Sequence, residues 1–248
     1  VGANVLIRIS EEDNTGYIEK IMERKSQLIR PPVANVTQAI IVMSIKEPDI
    51  NFWLLDRFIV MAEHQSLNIG ICLNKIDLSS DGEVYFIENI YNKTKYPIIK
   101  TSTRTGEGID DLNNITVCAG PSGVGKSSLL NEIRTRLQLK TGDISKKTTR
   151  GKHTTRHVEL IEIDSQSYVL DTPGFSSLNL NFVESEEELS KYFIEIYDHN
   201  DKCKFINCLH NREPNCEVKK QVEAGNIGVE RYENYLQFLE EIKNNRRF

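Results

Sequence analysis

The chain has 248 residues, 39% of them hydrophobic and 27% charged, the composition of a globular protein able to bury a core of its own. No apolar run approaches the roughly 20 residues that span a bilayer, so neither a spanning helix nor a membrane partner is expected. A formal charge of −5 gives no whole-chain signal for a polyanion and leaves any such contact to local patches.

The opening Val1-Gly2-Ala3-Asn4 has neither an initiator Met nor the character of a signal peptide, so the chain is expected to begin inside a longer protein. Val5, Ile7 and Ile9 alternate with Leu6, Arg8 and Ser10, and a turn at Glu12-Asp13-Asn14-Thr15-Gly16 leads into Tyr17-Ile18-Glu19-Lys20-Ile21. Two strands do not make a stable domain, so residues 1–30 are expected to be the end of a small β-barrel. Arg24-Lys25 and Arg30-Pro31-Pro32 read as a linker.

From Val33 strand and helix alternate. Gln38–Ser44, Ile69–Leu73 and Pro97–Lys100 are buried-strand runs. Between them, Asn51–Gln65 places Phe52, Leu55, Ile59 and Ala62 or Glu63 at helical spacing, and Glu83–Tyr91 is a second helix. Continuous apolar strands separated by helices predict a parallel sheet covered on both faces.

The strand ending at Leu73 runs into Asn74-Lys75-Ile76-Asp77, an N-K-x-D tetrapeptide. Asp77 can accept from both N1–H and the 2-amino group of guanine, a donor pair that adenine lacks, and an unpaired Asp77 would penalise the wrong base. Asn74 is expected on the other edge of the base and the Lys75 stem along its face. Thr101-Ser102-Thr103, at the end of the next strand, loosely resembles the S-A-K loop that lines a guanine pocket. Only Asn113 and Asn114 separate Gly108-Ile109-Asp110-Asp111-Leu112 from the next strand at Ile115. That is too short for a crossover helix, so either the sequence lacks a stretch here or a short loop makes the connection.

Ile115–Ala119 leads into Gly120-Pro121-Ser122-Gly123-Val124-Gly125-Lys126-Ser127-Ser128, which fits the phosphate-loop pattern G-x-x-x-x-G-K-[ST] between a strand and a helix. Its glycines let backbone N–H groups face a phosphate at a helix N-terminus. Lys126 is expected to reach the terminal phosphates and Ser127 to bind Mg²⁺. From Arg134 to Arg156 eight Lys/Arg face one carboxylate, Asp143, a run that reads as a solvated surface or as a contact for a polyanion. Within it, Thr154 is the first candidate and Thr155 the second for a mobile Thr that closes on Mg²⁺ and the γ-phosphate. Val158–Ile163 and Tyr168–Leu170 are strands, and Asp171-Thr172-Pro173-Gly174 is a D-x-x-G. Asp171 is expected to hold Mg²⁺ through water and the Gly174 N–H to sense the γ-phosphate. Phe175 stands where Ras-type enzymes carry a water-orienting Gln, which predicts slow unassisted hydrolysis; His153 as a base, an arriving partner or a displaced backbone are the candidates for positioning the water. Gly123 stands where K⁺-activated GTPases carry Asn.

Cys72 and Cys118 lie in strand runs and read as core residues, while Cys203-x4-Cys208-x-His210-x5-Cys216 offers three thiolates and one imidazole. Four protein ligands complete a tetrahedral Zn²⁺ site with no open position, which predicts a structural ion. Val229–Ile242 is predicted as a helix packing Val229, Tyr232, Leu236, Leu239 and Ile242 on that module.

In a Ras-like GTPase the phosphate loop comes first and N-K-x-D last. Here the order is inverted, as circular permutation would produce. A permuted GTPase with Gly-Pro-Ser-Gly-Val-Gly-Lys-Ser-Ser, Gly-Lys-His-Thr-Thr-Arg-His, Asp-Thr-Pro-Gly-Phe and Cys-x4-Cys-x-His-x5-Cys resembles the bacterial RsgA family over nearly the whole chain. The resemblance implies an α/β permuted Ras-like P-loop GTPase domain at 33–182, the tail of an OB-fold barrel at 1–30 and a zinc-binding α-rich domain at 183–248. It further implies a cytoplasmic GTPase that binds GTP and GDP and acts in late maturation of the small ribosomal subunit. Stimulation by the subunit and rRNA contacts through the basic stretch and the zinc module are expected, in a monomer. The competing readings are a GTPase switch for another RNA partner and an RNA-binding scaffold that senses guanine nucleotide with little hydrolysis.

Overall fold

A computed structural model describes residues 3–10, 15–24, 27–28, 33–112, 117–141, 159–162, 168–171 and 179–245. Two short ribbons come first: β1 (Val5–Ile9) pairs antiparallel with β2 (Gly16–Ile21), and β3 (Gln27–Leu28) with β4 (Val33–Ala34). Leu6, Ile7, Ile9, Tyr17 and Ile18 are more than half exposed, so no described residue covers either face of the first hairpin.

The remaining strands are β5 (Gln38–Ser44), β6 (Asn68–Asn74), β7 (Ile98–Thr101), β8 (Val117–Ala119), β9 (Glu159–Glu162) and β10 (Tyr168–Asp171). They form one sheet in the order β7-β6-β5-β8-β10-β9, parallel except for the edge strand β9. The chain steps from β5 outward to β7, then crosses back to β8 on the other side of β5. This is the topological switch point at which open parallel sheets bind ligands, at the C-terminal ends of their strands.

Alternation along β5 divides the core. Ala39, Ile41 and Met43 face helices α1 (Phe52–His64) and α2 (Asp81–Tyr91), while Ile40 and Val42 face α3 (Lys126–Thr141). Cys72 and Cys118 are buried on the α3 side, and burial pushes the Cys72 thiol up to about 12. The N-terminus of α1 is capped by Asn51, whose side chain accepts from the Leu54 N–H at 2.9 Å. A capping box between Ser80 and Glu83 starts α2 at Asp81, two residues before the predicted start.

Beyond Leu180 the chain forms two 3₁₀ turns and the helices α4 (Ile194–Tyr197), α5 (Glu217–Glu223) and α6 (Val229–Asn245). Their core joins Phe193, Ile196, Tyr235, Phe238, Leu239 and Ile242 to Val60 of α1. The predicted seam of α6 is rotated: Val229 is exposed, whereas Arg231, Tyr235, Phe238 and Ile242 are buried. The rotation follows from a second neighbour. Besides the segment that carries Cys203–Cys216, α6 packs along α1, where Arg231 and Asn234 find buried polar partners.

Candidate nucleotide site and metal centre

Three loops meet at the C-terminal ends of β6, β7 and β8. The phosphate loop leaves β8 with Gly120, Gly123 and Gly125 at φ of 143°, 85° and 93°, backbone that L side chains rarely adopt. A Cβ on Gly120 would lie 2.1 Å from the Val42 carbonyl oxygen, and one on Gly125 would lie 2.4 Å from Asn74 Nδ2. These two glycines therefore let the loop lie directly against β5 and β6. Val124 is buried, Ser122 and Gly123 are exposed, and Ser127 and Ser128 are exposed on the first turn of α3. Lys126 curls over the loop, donating to the Gly120 carbonyl at 2.8 Å and the Pro121 carbonyl at 2.6 Å.

Asn74 is fully buried. Its amide donates to the Val124 carbonyl at 2.9 Å and accepts from the Thr101 hydroxyl at 3.1 Å, so one side chain ties β6, β7 and the phosphate loop together. Its amide is thus committed to the protein, as a brace between loops. Lys75, at φ 61°, donates to the Gly123 carbonyl at 3.0 Å and to the Glu47 carbonyl, which holds its aliphatic stem across the site. Ile76 and Asp77 lie in the 3₁₀ turn that follows, with Ile76 packed against the sheet core. The Asp77 carboxylate accepts from the Ser102 hydroxyl at 2.6 Å. That hydroxyl in turn accepts from the N–H groups of Arg104 at 3.2 Å and Thr105 at 3.1 Å, closing a tight loop around Thr103.

Asp171 ends β10, beside Cys118 of β8, so the D-x-x-G begins next to the strand that feeds the phosphate loop. His153, Thr154, Thr155, Gly174 and Phe175 lie outside the described residues, as does most of the basic stretch.

The second constellation lies in the C-terminal module. Cys203, Cys208, His210 and Cys216 bring one ligand atom each within 4.8 Å of one another. The Cys203 and Cys216 sulfurs are 3.9 Å apart, close to the ~3.7 Å edge of a tetrahedron built on Zn–S bonds of about 2.3 Å. His210 Nδ1 faces the thiols, 3.3 Å from Cys216 and 3.6 Å from Cys203, and Nε2 lies 2.7 Å from Asn200 Oδ1. An Nε2–H donated to Asn200 leaves the Nδ1 lone pair pointing at the sulfurs, the arrangement that orients a metal-ligating histidine. Burial lowers the His210 pKa and keeps the ring neutral; burial also pushes the Cys208 thiol up to about 12. Glu213 accepts from the N–H groups of Leu209 and Asn211, both at 3.0 Å, and Tyr232 and Tyr235 of α6 donate to the carbonyls of His210 and Leu209. The donor set fits a structural tetrahedral ion.

Sequence reasoning missed two polar sets. Buried Arg231 donates to Glu195 at 2.7 and 3.0 Å and to Asp56 at 2.7 Å, and Asp56 also accepts from Tyr91 and Asn234. Arg136 of α3 donates to Glu132, Asp110 and the Gly106 carbonyl. Glu132 and Arg136 are a local i,i+4 pair, but no local pattern marks the other contacts, whose partners are far apart in sequence.

The sheet order, the phosphate loop at the switch point and the N-K-x-D turn beside it define a P-loop GTPase domain whose chain is circularly permuted. The sequence model described as RsgA GTPase matches residues 21–181. The protein called small ribosomal subunit biogenesis GTPase RsgA in Alkaliphilus metalliredigens is 48% identical over 254 residues, spanning 100% of this chain and 87% of its own. The protein of the same name in Clostridium botulinum Eklund 17B is 46% identical, over 98% of this chain and 84% of its own. Among solved structures, YjeQ from Thermotoga maritima superposes with a TM-score of 0.81 at 39% identity, covering 97% of this chain and 83% of that one. YloQ, described as a circularly permuted GTPase, superposes with a TM-score of 0.78 at 39% identity, covering 99% and 81%. The chain belongs to the RsgA GTPase family.

Proposed function

We propose that the chain hydrolyses GTP to GDP in the biogenesis of the small ribosomal subunit, binding the subunit late in its maturation and responding to it with faster turnover. The observation that carries this is the convergence of the phosphate loop, the Asn74–Asp77 turn and the Ser102 loop at the switch point, in a chain of this family. The guanine N1–H and 2-amino group would be read by Asp77, which Ser102 already orients. The base would lie along the Lys75 stem, while Asn74 holds the phosphate loop at a fixed distance from it.

The amides of Gly120–Ser128 and the Lys126 ammonium would receive the phosphates, with Lys126 leaving its resting place on the Gly120 and Pro121 carbonyls. Mg²⁺, when bound with the nucleotide, supplies charge neutralisation at the β- and γ-phosphates. Ser127 on the first turn of α3, Asp171 through water, and Thr154 are the residues we assign to hold it. Gly174 would sense the γ-phosphate, and His153 is the candidate for orienting the attacking water in place of the absent Gln. The Cys203, Cys208, His210 and Cys216 set would hold one structural Zn²⁺. No helix of the described residues is long and apolar enough to cross a membrane. We read the protein as a cytoplasmic monomer that contacts rRNA.

The test is GTP turnover with and without purified small subunits. Stimulation of at least tenfold is expected; equal turnover in both would overturn the ribosomal reading. Zinc content of the purified protein should be one ion per chain, falling to none in Cys216→Ser.

A further inference from the structure

We infer that Arg136 is a positioning residue for guanine recognition: from the third turn of the phosphate-binding helix it locks the loop that orients Asp77. This rests on the guanine-nucleotide reading above. Residues 101–112 are pinned at two ends. At the first, Ser102 donates to Asp77 at 2.6 Å while its backbone N–H and carbonyl are held by the Glu107 carbonyl at 3.1 Å and the Gly106 N–H at 2.9 Å. At the second, the Arg136 guanidinium donates to the Gly106 carbonyl at 2.9 Å and to Asp110 at 2.8 Å, and its Nε donates to Glu132 at 3.0 Å one helical turn back.

The contacts run without a gap from helix to base reader: Arg136 to Gly106, Gly106 to Ser102, Ser102 to Asp77. Gly106 is the residue that permits this. It sits at φ 84°, and a Cβ there would lie 2.4 Å from Arg136 Nη2. Among the described residues a single 3₁₀ turn, Ile109–Asp111, follows the loop before β8, and the guanidinium adds a restraint from α3. The planar fork is suited to the task, since Nε, Nη1 and Nη2 serve two carboxylates and a carbonyl from separate fixed positions, whereas an ammonium offers its three donors from a single nitrogen. The arrangement also removes Arg136 from the basic stretch read as a polyanion contact. Its donors are taken up by Glu132, Asp110 and the Gly106 carbonyl.

Three consequences separate this role from a merely structural one. Arg136→Met keeps the stem and removes every donor; GDP affinity should fall about fivefold, the worth of one well-made hydrogen bond, with the loss appearing in KM for GTP more than in kcat. The preference for GTP over ITP, which lacks the 2-amino group, should shrink in the same variant, because Asp77 is no longer held in register. Arg136→Lys, which can still reach the Gly106 carbonyl, should recover part of both effects, whereas Asp110→Asn, losing only an exposed ion pair, should change little. Gly106→Ala approaches the same contact from the other side and should reproduce Arg136→Met, so the test survives if one variant folds poorly.

Measurement is by titration of a fluorescent GDP and by steady-state turnover of GTP and ITP on the full-length protein, with thermal unfolding alongside. Arg136→Met and Gly106→Ala that bind GDP and discriminate ITP as wild type would overturn the clamp. Wild-type protein that binds no GDP would overturn the nucleotide reading itself, which is a distinguishable result.

Discussion

Helices α1 and α3 lie on opposite faces of one sheet and are buried to very different extents. On α1, Leu55, Asp56, Arg57, Phe58, Ile59, Val60 and Ala62 are all buried, because the sheet covers one side and α6 the other. On the described part of α3, only Leu129, Leu130 and Ile133 are buried, and Ser127, Ser128, Asn131 and Arg134 face outward. A helix enclosed on both sides can carry charges only if they are answered inside the protein. Arg57 does so by bonding Glu241 through both terminal nitrogens, at 2.6 and 2.5 Å, beneath the faces of Trp53 and Phe238. A helix enclosed on one side can send its polar groups to loops at the rim, as Arg136 does. The two faces do different work: α1 packs the C-terminal module against the sheet, and α3 sends Arg136 to the loop proposed to orient the base reader.

The sharpest way to break the first half of that comparison is Arg231→Met. It leaves Asp56 and Glu195 buried without their cation, and unfolding should be easier by about 3–5 kcal/mol. Burial opposes the charge on Arg231, yet Asp56 and Glu195 outweigh it and raise its pKa, so the guanidinium stays charged at any accessible pH. A loss below about 1 kcal/mol in denaturant unfolding would show that α1 and α6 are not sealed from water. Asn74→Ala tests the rim. Taking the Asn74 amide from the Val124 carbonyl, and leaving the Thr101 hydroxyl only Cys72 at 3.3 Å, should cost about 1–3 kcal/mol of stability and weaken GDP binding at the same time. Loss of stability with unchanged GDP affinity would mean that the brace does not set the distance between the loops.

The strands and the phosphate loop were legible because apolar runs and glycine spacing are local signals. Gln38–Ser44 and Asn68–Asn74 are buried from end to end but for their first residues, and the loop of Gly120–Lys126 stands between strand and helix. That Cys203, Cys208, His210 and Cys216 would cluster was legible too, since fourteen positions hold them all. What could not be read were pairings across the chain. Arg231 and Asp56 are 175 positions apart, so nothing local gives Arg231 a buried partner. Without that pairing the predicted seam of α6 faces only the C-terminal module and misses the contact with α1. The N-K-x-D spacing likewise shows that Asn74 is near the base turn but not that its amide faces the phosphate loop, because that depends on a loop fifty residues away.

The smallest effect belongs to an exposed tie on the well-buried side. Glu83 accepts from Lys46 at 2.6 Å, and from the Ser80 N–H and hydroxyl at 2.9 Å each, which join the β5–α1 loop to the start of α2. The Lys46 hydrogen bond, followed by those from Ser80, lowers the Glu83 carboxyl to about 2 from an ordinary 4.5. A carboxyl with a depressed folded-state pKa stabilises fully above its unfolded value. Its contribution fades as pH falls from about 4.5 towards 2, where the folded form is protonated as well. Glu83→Gln should therefore lower the thermal midpoint slightly at neutral pH and flatten its decline across that acid window. Added salt should shrink the part due to Lys46 while leaving the Ser80 cap, whose donors lie in the same turn, largely intact. A Glu83→Gln protein with the wild-type slope between pH 4.5 and 2 would show that the carboxylate adds nothing to the fold there.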